Sequence, residues 1–128
     1  MFSHIHIATS DMPRAMAFYR PVLTTLGLKP RFAEATWAGW TGPQGGRPLF
    51  IVGLPFDRKP HAPGNGQMVA FLATSRPMVD EWYEVALANA GTCDGPPGLR
   101  PHYHPNYYGA YVRDPDGNKL CAACHDAA

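Results

Sequence analysis

The stretch MVAFLATSRPMVDEWYEVALANAG, residues 68–91, passes from a short apolar run through a Ser/Thr turn into apolar positions at helical spacing. Met78, Val79, Trp82, Tyr83, Ala86, Leu87 and Ala90 recur at a period near 3.6 and predict an amphipathic helix. Ser75 is placed to cap it, Pro77 suits the first turn, Asp80 and Glu81 favour its positive end, and Gly91 stands where a C′ residue would end it. Sliding the chain by 64 residues lays HIHIATSDMPRAMAFYRPVLTTLG, residues 4–27, over this stretch without a gap. Pro13 then falls on Pro77, Phe18 on Trp82, Tyr19 on Tyr83, Leu23 on Leu87 and Gly27 on Gly91. The first helix uses Ser10 or Asp11 as cap and Met12, Ala15, Met16, Tyr19, Leu23 and Leu26 as its inner face. Pro21 removes a backbone donor and is expected to kink or split it after Tyr19 or Arg20.

Strand regions are expected after each helix, at roughly 30–41 and 47–54 in the first half and roughly 106–113 and 118–125 in the second. The turns GPQGG and DPDGN answer one another, and the Pro/Gly-dense GLPFDRKPHAPGNG reads as a linker between copies. The pattern is therefore a tandem duplication in one α+β domain, with modules at about 1–54 and 66–126 and the linker at 55–65.

Composition narrows the function classes. A net charge of +1 without a Lys/Arg cluster argues against nucleic acid. The longest apolar runs, such as LFIVGLPF, are too short to span a bilayer, and MFSHIHIATSDM lacks the pattern of a signal peptide, so a cytoplasmic chain is expected. Three cysteines, Cys93, Cys121 and Cys124, make an odd set for which free thiols are the default, with Cys93 expected in a loop. The CAACH pattern, Cys121 to His125, matches a c-type haem attachment signature, but PDGNKLCAAC reads as a turn entering a strand. Alternation on that strand sends Cys121 and Cys124 to opposite faces, so no haem is expected. Arg113, Asp114 and Asp116 are accounted for by turn chemistry.

A βαβββ unit twice over, with HIHIA as first strand, FY in the first helix and RDPDGN before the last strand, resembles the glyoxalase/bleomycin-resistance/extradiol-dioxygenase (vicinal oxygen chelate) superfamily. The resemblance covers essentially the whole chain. It implies tandem βαβββ modules forming an open cup-shaped mixed sheet with helices outside, a small molecule bound in the cup, and a homodimer as the partner arrangement. It also implies metal ligands at four strand positions, usually a His on each module's first strand and a Glu or similar residue on its last. Mapped here, those positions are His4, Met68, Cys121 and either Leu49 or Phe50.

No carboxylate remains in that set, so tightly held Mg²⁺, Mn²⁺, Ni²⁺ or Fe²⁺ is not expected. His4, Met68 and Cys121 are a set for a soft ion such as Cu(I) or Zn²⁺; plain packing of Met68 and Cys121 is the competing explanation. The cup lining implied for ligand binding is His6, Trp37 or Trp40, Met68, His104 and Tyr111, together with His4 and Cys121; Tyr107 and Tyr108 are either lining or helix packing. A small-molecule-binding protein with a degraded metal site is the main functional expectation. The alternatives are a metal-dependent lyase, isomerase or dioxygenase of the superfamily, and a soft-metal-binding variant.

Overall fold

A computed structural model describes all 128 residues. Strand β1 (His4–Ala8), helix α1 (Met12–Thr24) and strands β2 (Lys29–Ala33), β3 (Trp37–Thr41) and β4 (Leu49–Gly53) form the first module. Strand β5 (Val69–Leu72), helix α2 (Arg76–Ala88) and strands β6 (Thr92–Leu99), β7 (Tyr108–Arg113) and β8 (Lys119–Cys124) form the second. The sheets have matching orders, β1-β4-β3-β2 and β5-β8-β7-β6. In each, the first strand runs parallel to the last and the others pair antiparallel. The architecture is an open α+β fold of two βαβββ modules.

The region expected as a strand at 30–41 is two strands, with Glu34 donating its amide to the Trp37 carbonyl at the turn between them. In the second module the equivalent outer strand, β6, has the sequence TCDGPPGL, whose prolines and glycines hide it from a reading by composition. Its pairing with β7 shifts register twice, which is how an edge strand absorbs such residues. Cys93 consequently lies on a strand.

Both helices are capped from the sequence as written. The Asp11 side chain accepts the Arg14 amide at 3.0 Å, and the Ser75 hydroxyl accepts the Met78 amide at 3.2 Å. Helix α1 passes through Pro21 unbroken to Thr24. The proline deprives the Ala17 carbonyl of its partner, but Ala17 is exposed and that oxygen can turn to water, while Phe18, Tyr19, Val22 and Leu23 bury around it. At the end of α2 the left-handed residue is Ala90, φ +74°, one place before the glycine expected there. Gly91 is needed for a different reason: a Cβ would stand 2.7 Å from the Ala86 carbonyl oxygen, which accepts the Gly91 amide at 2.8 Å, and 2.9 Å from the Phe18 ring.

The helices cover one face of the sheets and share one apolar core. Phe18 and Trp82, equivalent in the repeat, are both fully buried, and Phe50 of β4 meets Phe71 of β5 at a ring separation of 5.0 Å. Trp40 also points into this core. The modules are further joined by a polar clasp at the turn before β8. Buried Asp114 accepts the Asp116 and Asn118 amides and the Asn118 side-chain N–H, each at 2.9 Å, and the Tyr19 hydroxyl. Asp116 accepts Thr9 Oγ1 at 2.5 Å, the Ser10 amide at 3.2 Å and Arg14 Nη2 at 2.6 Å, and Asn118 donates to the Ala8 carbonyl at 3.0 Å. A turn explicable by local chemistry is thus also a long-range fastening between the copies.

Candidate functional site

The faces turned away from the helices make the cup. Alternation along β1 puts Ile5 and Ile7 toward the core and His4, His6 and Ala8 on the other face, opposite Leu49, Ile51 and Gly53 of β4. Trp37 and Gly39 of β3 extend the same face. The Phe32 ring lies so close over Gly39 that a Cβ there would stand 2.4 Å from it, and its centroid is 4.6 Å from that of Trp37. Trp37 remains 42% exposed, whereas Trp40 is 3% exposed. The ambiguity between the two is resolved: Trp37 is the cup residue.

In the second module the corresponding face carries Met68, Ala70, Lys119, Cys121 and Tyr111. Tyr107 joins it, its hydroxyl 2.9 Å from the Tyr111 hydroxyl and 3.6 Å from Cys121 Sγ. Tyr108 turns to the helix side, donating to Asp80 of α2 at 2.6 Å. Cys124 packs in the core and Cys121 on the opposite face, both as free buried thiols, in keeping with the strand alternation that separates the halves of CAACH.

Three clefts open along this surface. One, of about 630 Å³, is lined by His4, His6, Trp37, Phe56 and Arg58 among others. A second, of about 430 Å³, lies between the modules and brings His6 together with His61, Met68, Asn118 and Lys119. The third, of about 530 Å³, brings Met68 to Tyr103, Tyr107, Tyr111, Arg113 and Lys119. Of the residues expected to line the cup, His4, His6, Trp37, Met68 and Tyr111 are gathered along these clefts. His104 lines none of the three but packs edge-on against Tyr107, 5.7 Å between ring centroids, with its Nε2 2.8 Å from His125 Nδ1 and those two rings stacked. Cys121 is fully buried and lines none of the three.

His61, Arg58, Phe32 and Lys119 are lining or wall residues that the sequence pattern did not reveal. The segment expected to be only a linker folds back on the site: the His61 amide donates to Ser10 Oγ at 2.8 Å, and His61 Nε2 is 2.8 Å from Asn118 Oδ1. Burial, with the neighbouring His4 and His61, lowers the His6 pKa below its ordinary 6.5. Burial raises the Tyr107 hydroxyl pKa, helped by the bond to Tyr111. The Cys121 thiol is likewise pushed up by burial, which outweighs the two tyrosine hydroxyls that favour its thiolate.

Register also gives the fourth of the ligand positions that the resemblance implies. Cys121 pairs with Ala70, and the repeat equates Ala70 with His6, which pairs with Ile51. The counterpart of Cys121 is therefore Ile51, replacing Leu49 or Phe50. The chain then offers an exposed imidazole at His4, whose Nδ1 is 2.9 Å from Ser3 Oγ, a hydrocarbon at Ile51, a thioether at Met68 and a covered thiol at Cys121. No three His, Cys, Asp or Glu side chains converge to hold an ion. This donor set does not fit a hard divalent metal, which takes oxygen and nitrogen ligands.

Two βαβββ modules joined through one core, with an open polar and aromatic face opposite the helices, define a duplicated cup fold. The sequence profile of the Glyoxalase/Bleomycin resistance protein/Dioxygenase superfamily matches residues 1–122, and the chain belongs to that superfamily. A glyoxalase/bleomycin resistance protein from Albidiferax ferrireducens T118 is 36% identical, with 98% of this chain and 99% of that one covered and a TM-score of 0.86. A glyoxalase-related enzyme from Fulvimarina pelagi is 21% identical over 97% and 87% of the chains, with a TM-score of 0.75. Lactoylglutathione lyase from Agrobacterium tumefaciens is 21% identical over 97% and 92%, with a TM-score of 0.68. These two share the fold. No curated protein matches the chain. No helix is long and apolar enough to cross a membrane.

Proposed function

We propose that this protein binds a flat, partly apolar small molecule in the cup without the help of a hard divalent ion. The observation that carries the reading is the contrast on the cup face. Of the four positions at which the superfamily resemblance calls for ligands, all but His4 hold Ile51, Met68 and a buried Cys121, while Trp37 stands open beside Phe32, His4 and His6. An exposed indole beside imidazoles offers an apolar plane with polar groups at its margin, the usual make-up of a small-molecule site. His6, held neutral by its lowered pKa, can donate or accept a hydrogen bond there.

The test is a screen of aromatic compounds followed by tryptophan emission. Trp40 and Trp82 are buried, so a ligand in the cup should perturb chiefly Trp37, and the change should vanish in Trp37→Phe. A ligand whose signal survives Trp37→Phe, or full metal occupancy at His4 in reducing buffer, would overturn the reading. A homodimer is part of the same proposal, supported by Leu72, 71% exposed, and Met68, 44% exposed, on the open side of the edge strand β5. Light scattering at micromolar concentration should give twice the 14.0 kDa chain mass.

A further inference from the structure

The charge around the cup is one-sided. Arg58, Arg113 and Lys119 line the three clefts, and no Asp or Glu lines any of them. Two of these cations are already answered. Asp94 lies 3.0 Å from Arg113 Nε and 3.3 Å from Lys119 Nζ, and one carboxylate serves both. The chain's one other ion pair joins Arg14 to Asp116, well within the clasp. Arg58 is in none of the three.

Arg58 is also held in place. Its backbone is left-handed, φ +60°, a conformation uncommon outside glycine, and its amide donates to the Pro55 carbonyl at 2.9 Å. The only bond its guanidinium makes is a long one, Nη1 to the same carbonyl at 3.4 Å. It shares a cleft with Trp37, His4 and His6. An open aromatic wall and an arginine without a carboxylate therefore lie in one recess. A planar guanidinium is suited to a carboxylate, phosphate or similar oxyanion.

We propose that the cup selects organic anions, with the ligand ring against Trp37 and its negative group paired to Arg58. The proposal rests on the cup being the ligand site and adds the chemical class of the ligand. A cationic ligand would find no counter-charge along the clefts and would meet Arg58 directly, so selectivity arises by repulsion as well as attraction.

The experiment is calorimetry of the whole protein with matched probes: benzene, naphthalene and indole rings, each carrying a carboxylate, a carboxamide or a methylammonium group. The carboxylates should bind at least about fivefold more tightly than the carboxamides, as expected for a partly exposed ion pair. The ammonium probes should be weakest, and added salt should erode the carboxylate advantage. Arg58→Asn, which tolerates the left-handed backbone, should make carboxylate and carboxamide equal, and Arg58→Lys should keep part of the preference. Equal binding of carboxylate and carboxamide to the parent protein, or a preference that survives Arg58→Asn, overturns the anion assignment and leaves the ligand site standing. Binding of no ring in any charge state removes both. The charge series on the parent protein decides the matter even if a variant fails to fold.

Discussion

The two modules repeat one scaffold and diverge on one face of it. In the first, His4, His6 and Trp37 stand open on the cup side. In the second, the tyrosines cover the equivalent strand: Tyr107 and Tyr111 bond to each other, and Tyr107 lies over the Cys121 thiol. The helix faces do not diverge in this way, because Phe18 and Trp82, or the caps Asp11 and Ser75, perform the same packing and capping tasks in each copy. Duplication kept what both copies need for folding and let the cup surface differentiate into an open half and a tyrosine-covered half.

The sharpest test of that contrast uses the two tryptophans of β3. Trp40→Ala should cost about 3–5 kcal/mol of unfolding free energy, since it empties a core position. Trp37→Ala should cost less than about 1 kcal/mol in urea titrations while removing ligand binding, because its ring already stands in water. Equal losses would erase the distinction between core side and cup side.

The turns come next. Asp114→Ala should cost about 3 kcal/mol, because it strands the buried Tyr19 hydroxyl and several amides at once. The corresponding turn of the first module relies on Thr41 Oγ1, which donates to the Gly46 carbonyl at 2.7 Å, and Thr41→Val should cost only about 1 kcal/mol. If the two substitutions cost the same, the second turn is no more than a local one.

Thiol labelling examines the tyrosine-covered half. Exposed Cys93 should react with a disulfide reagent in the native protein, whereas Cys121 and Cys124 should react only on unfolding. Tyr107→Ala should make Cys121 reactive without changing Cys124. Rapid labelling of Cys121 in the parent protein would show that the tyrosines do not seal it.

The smallest expected effect is a pH dependence from the open half. His6 has a folded-state pKa below its ordinary 6.5, so between the two values the unfolded chain binds more protons than the folded one. Stability should therefore be complete above that window and fall as pH drops through it. His6→Gln should flatten this part of the profile, a modest change because the imidazole is only partly buried.

Much of the scaffold was legible because it obeys local rules. Helical spacing exposed both helices, capping side chains marked their starts, and the 64-residue offset gave the duplicated architecture. What escaped depends on tertiary context. Strand β6 is made of residues that disfavour strands and exists because β7 offers it an edge. Pro21 is tolerated because its lost bond faces the exposed side of α1. In the site, alternation placed His4 and His6 together but could not choose between Trp37 and Trp40, since an isolated strand has two equivalent faces. Arg58 and His61 belong to a Pro- and Gly-rich segment with no periodicity, and only the path of the folded chain takes them to the cup. His104 stands one residue back from the third cleft, behind Tyr107 and bonded to His125.

The clasp has a consequence for synthesis on the ribosome. Thr9, Ser10, Arg14 and Tyr19 near the start of the chain take their partners from Asp114 and Asp116, roughly a hundred residues later. A nascent first half can form α1 and its sheet, yet Tyr19 and the mouth of β1 must wait for roughly a hundred further residues before their polar groups find these partners. Vectorial synthesis therefore leaves these polar groups of the earlier copy to solvent until the turn before β8 emerges and fastens both at once.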